Sequence, residues 1–246
     1  YHDSVSNVTT TYIPFNVSYS KEYVSKLFIG HDEDTAVETN LNEVGMGKTV
    51  VVQSQTRNYS DKEGTLTSLI MTVPSGNVKT HLVDKLQNTE KYTVQYTTDE
   101  DVQNGTYSND VEDLTKVTAV KYVFKEPLKL STGQSFVANM KVKVPEDAEI
   151  EESATSKLYT TDNNTNWIEG NSVTLTTEDN RGRVVTEIVS ESGKIIRSSE
   201  LLERDGKKYH TSTDEIQTEG ARYTFKKLAE GSDPLDGTVD RHHPKH

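Results

Sequence analysis

The chain of 246 residues contains no cysteine. Disulfide bonds, thiolate metal sites and cysteine nucleophiles are therefore excluded. Small secreted domains often use disulfides to compensate for a limited core, so this protein must draw its stability from apolar packing and hydrogen bonds. Amide bonds between lysine and asparagine side chains would be an alternative covalent tie, but they need a buried lysine, asparagine and acidic residue.

Long hydrophobic runs are also missing from the sequence. A membrane-spanning helix requires roughly 18 or more consecutive apolar residues, and no run approaches that length. The chain does not open with a basic stretch followed by an apolar one, which is the pattern of a secretion signal. We therefore expect any signal and any wall anchor to lie outside this sequence.

Hydrophobic residues make up 32% of the chain, aromatic residues make up 7%, and the formal net charge is -12. Such values would suit a disordered chain if the apolar residues were scattered. Instead they alternate with polar residues, as a half-buried strand requires. The clearest run places five apolar residues on one face, namely Phe136, Ala138, Met140, Val142 and Val144. The pattern predicts a folded core.

The negative charge is confined to the first part of the chain. Residues 1–180 contain 15 Lys and Arg against 27 Asp and Glu, whereas residues 181–246 contain 12 of each kind. The change falls in the polar, turn-prone stretch from Thr176 to Gly182, which is typical of a linker between domains. We therefore predict an acidic domain at 1–180 and a neutral domain at 181–246.

Short strand-like runs separated by turn-rich segments dominate the first domain. The predicted strands are Thr9–Val17, Thr49–Arg57, Leu66–Val73, Lys91–Thr97, Lys116–Phe124, Ser135–Val144, Ser156–Thr161 and Asn171–Thr177. This spacing predicts an all-β fold, an antiparallel β-sandwich of immunoglobulin-like type. Two short helices are also predicted, at Lys21–Phe28 and Thr80–Gln87, the second with Thr80 as its N-cap.

The second domain contains an ordered set of motifs. The run from Arg183 to Ile196 reads as two strands joined by a turn at Ser190-Glu-Ser-Gly193, and Asp205-Gly-Lys-Lys-Tyr-His-Thr211, Gly220-Ala-Arg-Tyr-Thr-Phe225 and Gly237-Thr-Val239 follow. This order resembles the mucin-binding-protein (MucBP) repeats of wall-anchored surface proteins of Gram-positive bacteria. The resemblance implies a small β-grasp-like domain, here truncated before its last strand unless Thr238-Val239 pairs as a remnant.

Part of the first domain resembles another kind of module. The stretch from Val117 to Phe124, continuing through Leu130 and Phe136 to Asp147, resembles the closing strands of domains that precede such repeats in streptococcal-type adhesins. This resemblance implies that the chain is part of a bacterial surface adhesin, located at the cell wall outside the cell.

A candidate ligand site lies around the single tryptophan. An exposed aromatic ring can stack on a sugar while neighbouring amides bond the sugar hydroxyls. Trp167 follows the amide side chains Asn164 and Asn166 and could fill that role. Trp167 as a core or corner residue is the alternative interpretation.

Acidic clusters in predicted loops suggest a calcium site. Calcium takes six to eight oxygen ligands, and the candidate carboxylates are Asp32, Asp34, Asp99 and Asp101. Their spacing matches no calcium-binding loop. The alternative is that charged loops keep the sheet soluble and discourage edge pairing. No other cofactor is expected.

Three functions are compatible with these patterns. The first is a binding head at residues 1–180 that contacts a mucin-type host glycan, the extracellular matrix or a host surface protein. The second is a spacer that holds a distal head away from the wall, and the third is a polymer-acting hydrolase. We predict the first, with no enzymatic activity, and expect a monomer. The acidic charge argues against nucleic acid or anionic membranes as partners.

Overall fold

The protein is described by a computed structural model, which covers residues 10–15, 22–163 and 165–246. Within that part of the chain the secondary structure consists of strands and one short 3-10 helix, without an α-helix. The predicted all-β fold is therefore confirmed. The chain divides into two compact units. Unit 1 comprises Tyr1–Ala148 with Glu152–Thr176, and unit 2 comprises Glu149–Glu151 with Thr177–His246.

Unit 1 is an antiparallel β-sandwich. Its strands are β1 (Tyr23–His31), β2 (Glu43–Val44), β3 (Thr49–Asn58), β4 (Gly64–Thr72), β5 (Ser75–Gly76), β6 (His81–Leu82), β7 (Tyr92–Thr97), β8 (Ala119–Leu130), β9 (Ser135–Lys143), β10 (Ser153–Thr161) and β11 (Ile168–Thr177). One sheet has the order β1-β3-β9-β6. The other has the order β2-β11-β10-β4-β8-β7, with β5 paired to β10. The 3-10 helix, Leu114–Lys116, precedes β8.

The core of unit 1 lies between the two sheets. The predicted inward face of β9 is confirmed, because Ala138, Met140, Val142 and Val144 are buried and Phe136 packs against the same cluster. Met140 stands opposite Val52 of β3 in the antiparallel register. Since each fully buried aliphatic side chain contributes about 1.5–3 kcal/mol, this interior is the main source of stability for unit 1.

Aromatic side chains close one end of the sandwich. The rings of Phe124 and Phe136 meet edge to face with centroids 4.9 Å apart. Tyr92 approaches Phe136 in a similar T-shaped arrangement at 5.8 Å. Edge-to-face geometry is preferred because the positive ring edge meets the negative ring face. The short strand β7 is held in place by these contacts as well as by pairing with β8.

Both predicted helices are wrong. Tyr23–His31 is strand β1, paired with β3 so that Tyr23 faces Asn58 and His31 faces Val50. Leu27 and Ile29, two residues apart, are both buried in the sandwich. This alternation of buried residues is typical of a strand, and the apolar residues of the segment had only a weak helical spacing. Lys21 lies outside the described residues.

The second predicted helix is replaced by the two-residue strand β6, whose Leu82 pairs with Val142 of β9. Thr80 does not cap a helix, because its hydroxyl donates to the carbonyl of Pro74 at 2.7 Å. Leu82 is buried in the main core. Pairing with a sheet edge therefore overrode a local pattern of apolar residues.

The first predicted strand, Thr9–Val17, does not form in the described part of the chain. Residues 10–15 belong to no strand and are exposed, and Thr9, Asn16 and Val17 lie outside the described residues. The other seven predicted strands are confirmed as β3, β4, β7, β8, β9, β10 and β11, with ends that differ by a few residues.

Unit 2 is built from three two-stranded sheets. Its strands are β12 (Arg181–Val189), β13 (Ile195–Arg204), β14 (Lys208–His210), β15 (Ile216–Thr218), β16 (Ala221–Tyr223) and β17 (Asp236–Thr238). The predicted hairpin is present as β12 and β13, and Gly193 in its turn adopts a φ of 88°, which favours glycine. Strand β17 pairs with β14, so Thr238 is part of a short strand. The domain limits 1–180 and 181–246 stay a prediction.

In the part of the chain that the structure describes, no lysine is among the buried polar side chains that an amide tie would need. Those in the described part of the chain are Gln53, Ser54, Thr56, Asn58, Thr67, Ser68, Thr80, Thr97, Ser156, Thr160, Thr161 and Thr177. The buried amide of Asn58 donates to the carbonyls of Lys62 and Leu130 at 2.6 and 2.7 Å. This asparagine therefore stabilises a loop through hydrogen bonds.

Candidate functional site

Trp167 lies immediately before β11, next to a turn that Asn163 organises. The side-chain oxygen of Asn163 accepts hydrogen bonds from the backbone N–H groups of Thr165 and Asn166, both at 3.0 Å. It also accepts from the Thr165 hydroxyl at 2.9 Å. Asparagine commonly stabilises turns in this way. Asn166 is exposed, and Asn164 lies outside the described residues.

The Trp167 ring packs on the outer face of the larger sheet. There it contacts a small apolar cluster whose buried members are Ile70, Ala119 and Tyr159. Val102 and Tyr107, from the loop between β7 and β8, pack against the same cluster. We call this set the outer-face cluster. Trp167 is half-buried, so only part of its ring is open to solvent.

A lysine side chain lies against the aromatic rings of the outer-face cluster. Lys121 of β8 places its Nζ atom 4.1 Å from the centroid of Tyr107 and 5.6 Å from that of Trp167. Cation–π contacts at such distances contribute about 0.5–2 kcal/mol. Burial lowers the pKa of the Lys121 ammonium. The lysine therefore lies over part of the aromatic surface of this cluster.

Tyr107 fixes the loop over the sheet. Its hydroxyl donates to the carbonyl of Val102 at 2.7 Å. Burial raises the pKa of the Tyr107 phenol above its usual value, and the nearby charges of Asp101 and Asp99 act in the same direction. The phenol consequently stays protonated and remains a hydrogen-bond donor near neutral pH.

Asp99 and Asp101 lie beside Tyr107 and are engaged by backbone groups of their own loop. Asp99 accepts from the Thr106 N–H at 2.7 Å, and Asp101 accepts from the Asn104 N–H at 3.1 Å. The hydrogen bonds from Asn104 hold the pKa of the Asp101 carboxyl below its usual range. Both carboxylates stabilise the loop that carries Tyr107.

The other two predicted calcium ligands lie elsewhere, after β1 in the smaller sheet. Asp32 pairs with Lys141 at 3.0 Å, and Asp34 accepts from the His31 N–H at 2.8 Å. The four aspartates thus form two separate pairs. No group of three or more His, Asp or Glu side chains placed to hold a metal occurs in the described ranges. Calcium binding stays a prediction.

The segment after β1 covers the outer face of the smaller sheet. The fully buried amide of Gln53 accepts from the Val37 N–H at 3.1 Å and donates to the Thr35 carbonyl at 2.8 Å. It also donates to Asn139 at 2.8 Å. A buried amide with all of these partners stabilises one arrangement of the segment. Part of the outer face of each sheet of unit 1 is thus covered by its own chain.

Sequence reasoning found Trp167 and the two aspartates of this cluster but missed Lys121 and Tyr107. The strand alternation of Lys121 with the buried Val120 and Tyr122 places it on the outer face, and that signal was readable. Tyr107 gave no such signal, because its position depends on how the loop between β7 and β8 folds back.

No family model and no curated protein matches the chain. Among solved structures, BcpA, the major pilin subunit of Bacillus cereus, is similar at 14% identity, covering 90% of this chain and 67% of that one, with a TM-score of 0.44. The full-length major pilin SpaD of Corynebacterium diphtheriae has 14% identity, coverage of 89% and 49%, and a TM-score of 0.35.

An uncharacterized immunoglobulin-like protein of Nocardia farcinica is similar at 16% identity, with coverage of 55% and 91% and a TM-score of 0.33. These likenesses are too weak to carry an argument about function, and the MucBP resemblance stays a prediction. In the described part of the chain, no helix has the length and apolar character needed to cross a membrane.

Proposed function

We propose that this chain is a spacer module of a surface protein of a Gram-positive bacterium, with no ligand at Trp167. This is the second of the three functions considered from the sequence. The observation that carries it is the engagement of Trp167 by its own protein. The ring packs on the outer-face cluster, and Lys121 lies against it.

The turn before Trp167 supports the same proposal, because the side-chain oxygen of Asn163 holds it through hydrogen bonds within the protein. Of the two amides predicted to bind a ligand, Asn166 is exposed and Asn164 lies outside the described residues. Part of the outer face of each sheet is covered by the protein's own segments. A self-covered sandwich is suited to holding other parts of a protein at a distance.

The setting outside the cell is part of the proposal and is supported by the sequence. The acidic charge of -12 and the strand-and-turn patterning fit a wall-associated β-module. The resemblance of the second domain to MucBP repeats favours the same location.

The proposal is tested by binding the whole 246-residue chain and its Trp167→Ala variant to glycan and extracellular-matrix arrays. We expect no specific binding by either protein. We also expect Trp167→Ala to lower the free energy of unfolding of unit 1 by about 1–3 kcal/mol, because it removes half-buried aromatic surface and a cation–π contact.

Ile70→Val is the matched control, since it trims a buried side chain beneath the same ring and leaves the ring itself in place. Binding by the wild type that is lost in Trp167→Ala and kept in Ile70→Val would overturn the spacer proposal in favour of a binding head. Such a result would also require that Trp167→Ala remain folded by circular dichroism.

A further inference from the structure

The loop between β7 and β8 contains the chain's only Asn-Gly sequence, Asn104-Gly105. Asparagine is a chemically labile residue. It can lose its side-chain amide when the backbone nitrogen of the next residue attacks the side-chain carbonyl carbon. Glycine hinders that attack least, because it has no side chain and adopts many backbone angles. The sequence therefore makes Asn104 the most reactive asparagine of the chain.

The loop requires glycine at position 105. A Cβ atom added there would lie 2.5 Å from the backbone oxygen of Asp101 and 3.1 Å from side-chain atoms of Asp99. The first distance is too short for any side chain, and because it is to a backbone atom the loop itself would have to shift. The folded loop thus needs the residue type that makes Asn104 reactive.

The reacting groups are accessible in the folded protein. Asn104 is exposed and Gly105 is half-buried. Among the hydrogen bonds of the described residues, none involves the N–H of Gly105. An N–H bonded to a protein acceptor would have to break that bond before its nitrogen could attack. At Gly105 no such bond has to break, so the fold leaves the reaction open.

Asn104 also supports the loop over the outer-face cluster. Its backbone N–H donates to one carboxylate oxygen of Asp101 at 3.1 Å, and its side-chain amide donates to the other at 3.2 Å. The same loop carries Val102 and Tyr107, which pack against the cluster that contains Trp167. A change in the Asn104 side chain therefore acts on the loop that lies beside the tryptophan.

We propose that Asn104 is a site of spontaneous deamidation in the folded protein, and that its conversion loosens the loop over the outer-face cluster. The nitrogen of Gly105 forms a bond to Cγ of Asn104, the Cγ–Nδ2 bond breaks, and ammonia leaves with the proton of the Gly105 N–H. Water then adds across one of the two carbonyl–nitrogen bonds of the cyclic imide. The product has aspartate or isoaspartate at position 104. Water is the only co-reactant.

Both products weaken the support of the loop. A carboxylate replaces the amide that donated to Asp101, so a hydrogen bond is lost and two like charges face each other. In isoaspartate the main chain also runs through the former side chain, which displaces the residues that follow. The loop is then held less tightly against Trp167. This inference goes beyond the spacer function and does not depend on it.

The first test follows the chemistry in the whole folded chain. The protein is incubated at mildly acidic and at mildly alkaline pH, and peptide mapping by mass spectrometry detects the replacement of –NH2 by –OH. We expect conversion at Asn104, faster at alkaline pH because the Gly105 nitrogen loses its proton more readily there. Asn77 and Asn109 are internal controls, since both are exposed but precede valine and aspartate. They are expected to keep their amides.

The second test follows the loop. Asn104→Asp introduces the charge of the product, whereas Asn104→Gln keeps an amide and is expected to remain unconverted. We expect acrylamide to quench the fluorescence of Trp167, the only tryptophan, more strongly in Asn104→Asp than in Asn104→Gln. Fresh wild type should match Asn104→Gln, and converted wild type should be quenched at least as strongly as Asn104→Asp. Asn109→Gln, in the same loop, is the matched control and should convert at position 104 like the wild type.

The site is refuted if Asn104 keeps its amide in the folded chain while it converts in the urea-unfolded chain, because the fold would then protect it. Conversion of Asn77 or Asn109 at the same rate would also refute it. Equal quenching of Trp167 in Asn104→Asp and Asn104→Gln would overturn the loosening of the loop. Amide hydrogen exchange at Thr106 and Tyr107 checks this independently, since it should be faster in Asn104→Asp and unchanged in Asn104→Gln.

Discussion

The two units are both built from strands, but they differ in how many of their apolar side chains are buried. Unit 1 encloses a core between two sheets, and segments of its own chain pack on part of each outer face. In unit 2, the buried apolar cluster consists of Val184, Tyr209 and Val239, while Ile195, Leu201 and Leu202 of β13 are 56%, 46% and 48% exposed. Unit 1 therefore buries a large apolar core between its sheets, whereas unit 2 buries a small one.

The largest expected effect on stability comes from truncating one apolar side chain in each unit. Met140→Ala in unit 1 is expected to lower the free energy of unfolding by about 2–5 kcal/mol, because Met140 is 1% exposed and its loss leaves a cavity. Leu201→Ala in unit 2 is expected to change it by less than about 0.5 kcal/mol, because that side chain is half exposed.

Urea unfolding measures both effects. Trp167 is the only tryptophan, so its fluorescence reports on unit 1, and far-UV circular dichroism reports on both units. If Met140→Ala and Leu201→Ala lowered the free energy of unfolding equally, the stated difference in burial between the two units would be contradicted.

The second test compares polar interactions in the two units. Gln53→Leu is expected to destabilise unit 1 by about 1–3 kcal/mol, because it leaves the Val37 N–H and the Thr35 carbonyl without their buried partner. In unit 2, Arg183 and Glu200 form a two-point ion pair at 3.0 Å across the hairpin. Glu200→Gln is expected to cost only about 0–1 kcal/mol, because water and salt screen this exposed pair.

Amide hydrogen exchange separates these outcomes by location. Gln53→Leu should speed exchange along β3 and the segment after β1, and Glu200→Gln should leave the exchange of β12 nearly unchanged. A stabilising effect of Gln53→Leu would show that the segment after β1 is not held by the amide.

The sequence predicted most of unit 1, because its strands satisfy a local rule. The alternation in β9 identified its inward face from Ala138 to Val144, and burial in the core confirmed it. The two helix predictions were wrong because these segments pair with strands far away in the sequence. Leu27 lies in β1, which pairs with β3, and Leu82 lies in β6, which pairs with β9. The spacing of apolar residues within a segment does not show which distant strand the segment will pair with.

The site was less predictable than the fold. The sequence identified Trp167 but not the lysine that lies against it, since that contact joins β8 to a residue 46 positions later. From the sequence we predicted that four aspartates bind calcium together. In the structure they lie in two different loops, where Asp32 pairs with Lys141 and Asp101 accepts a hydrogen bond within its own loop.

The smallest expected effect concerns the loop that completes unit 1, and it depends on pH. The pKa of Tyr107 is raised in the folded protein, whereas an unfolded tyrosine ionises near pH 10. Below that pH both states carry the proton. Above it the unfolded state loses the proton first, so ionisation favours unfolding and the stability of unit 1 falls as pH rises.

Tyr107→Phe is therefore expected to cost about 1 kcal/mol or less at neutral pH, through the lost hydrogen bond to Val102, and to make the alkaline loss of stability less steep. The pKa values of Tyr23 and Tyr122 are raised too, and the lowered pKa of Lys121 acts with the opposite sign. These groups are present in both proteins, so the difference between their urea-unfolding free energies from pH 8 to pH 11 isolates Tyr107. A difference that stays constant over that range would mean that the phenol is as free to ionise in the folded protein as in the unfolded chain, and that the loop does not close the outer face of unit 1.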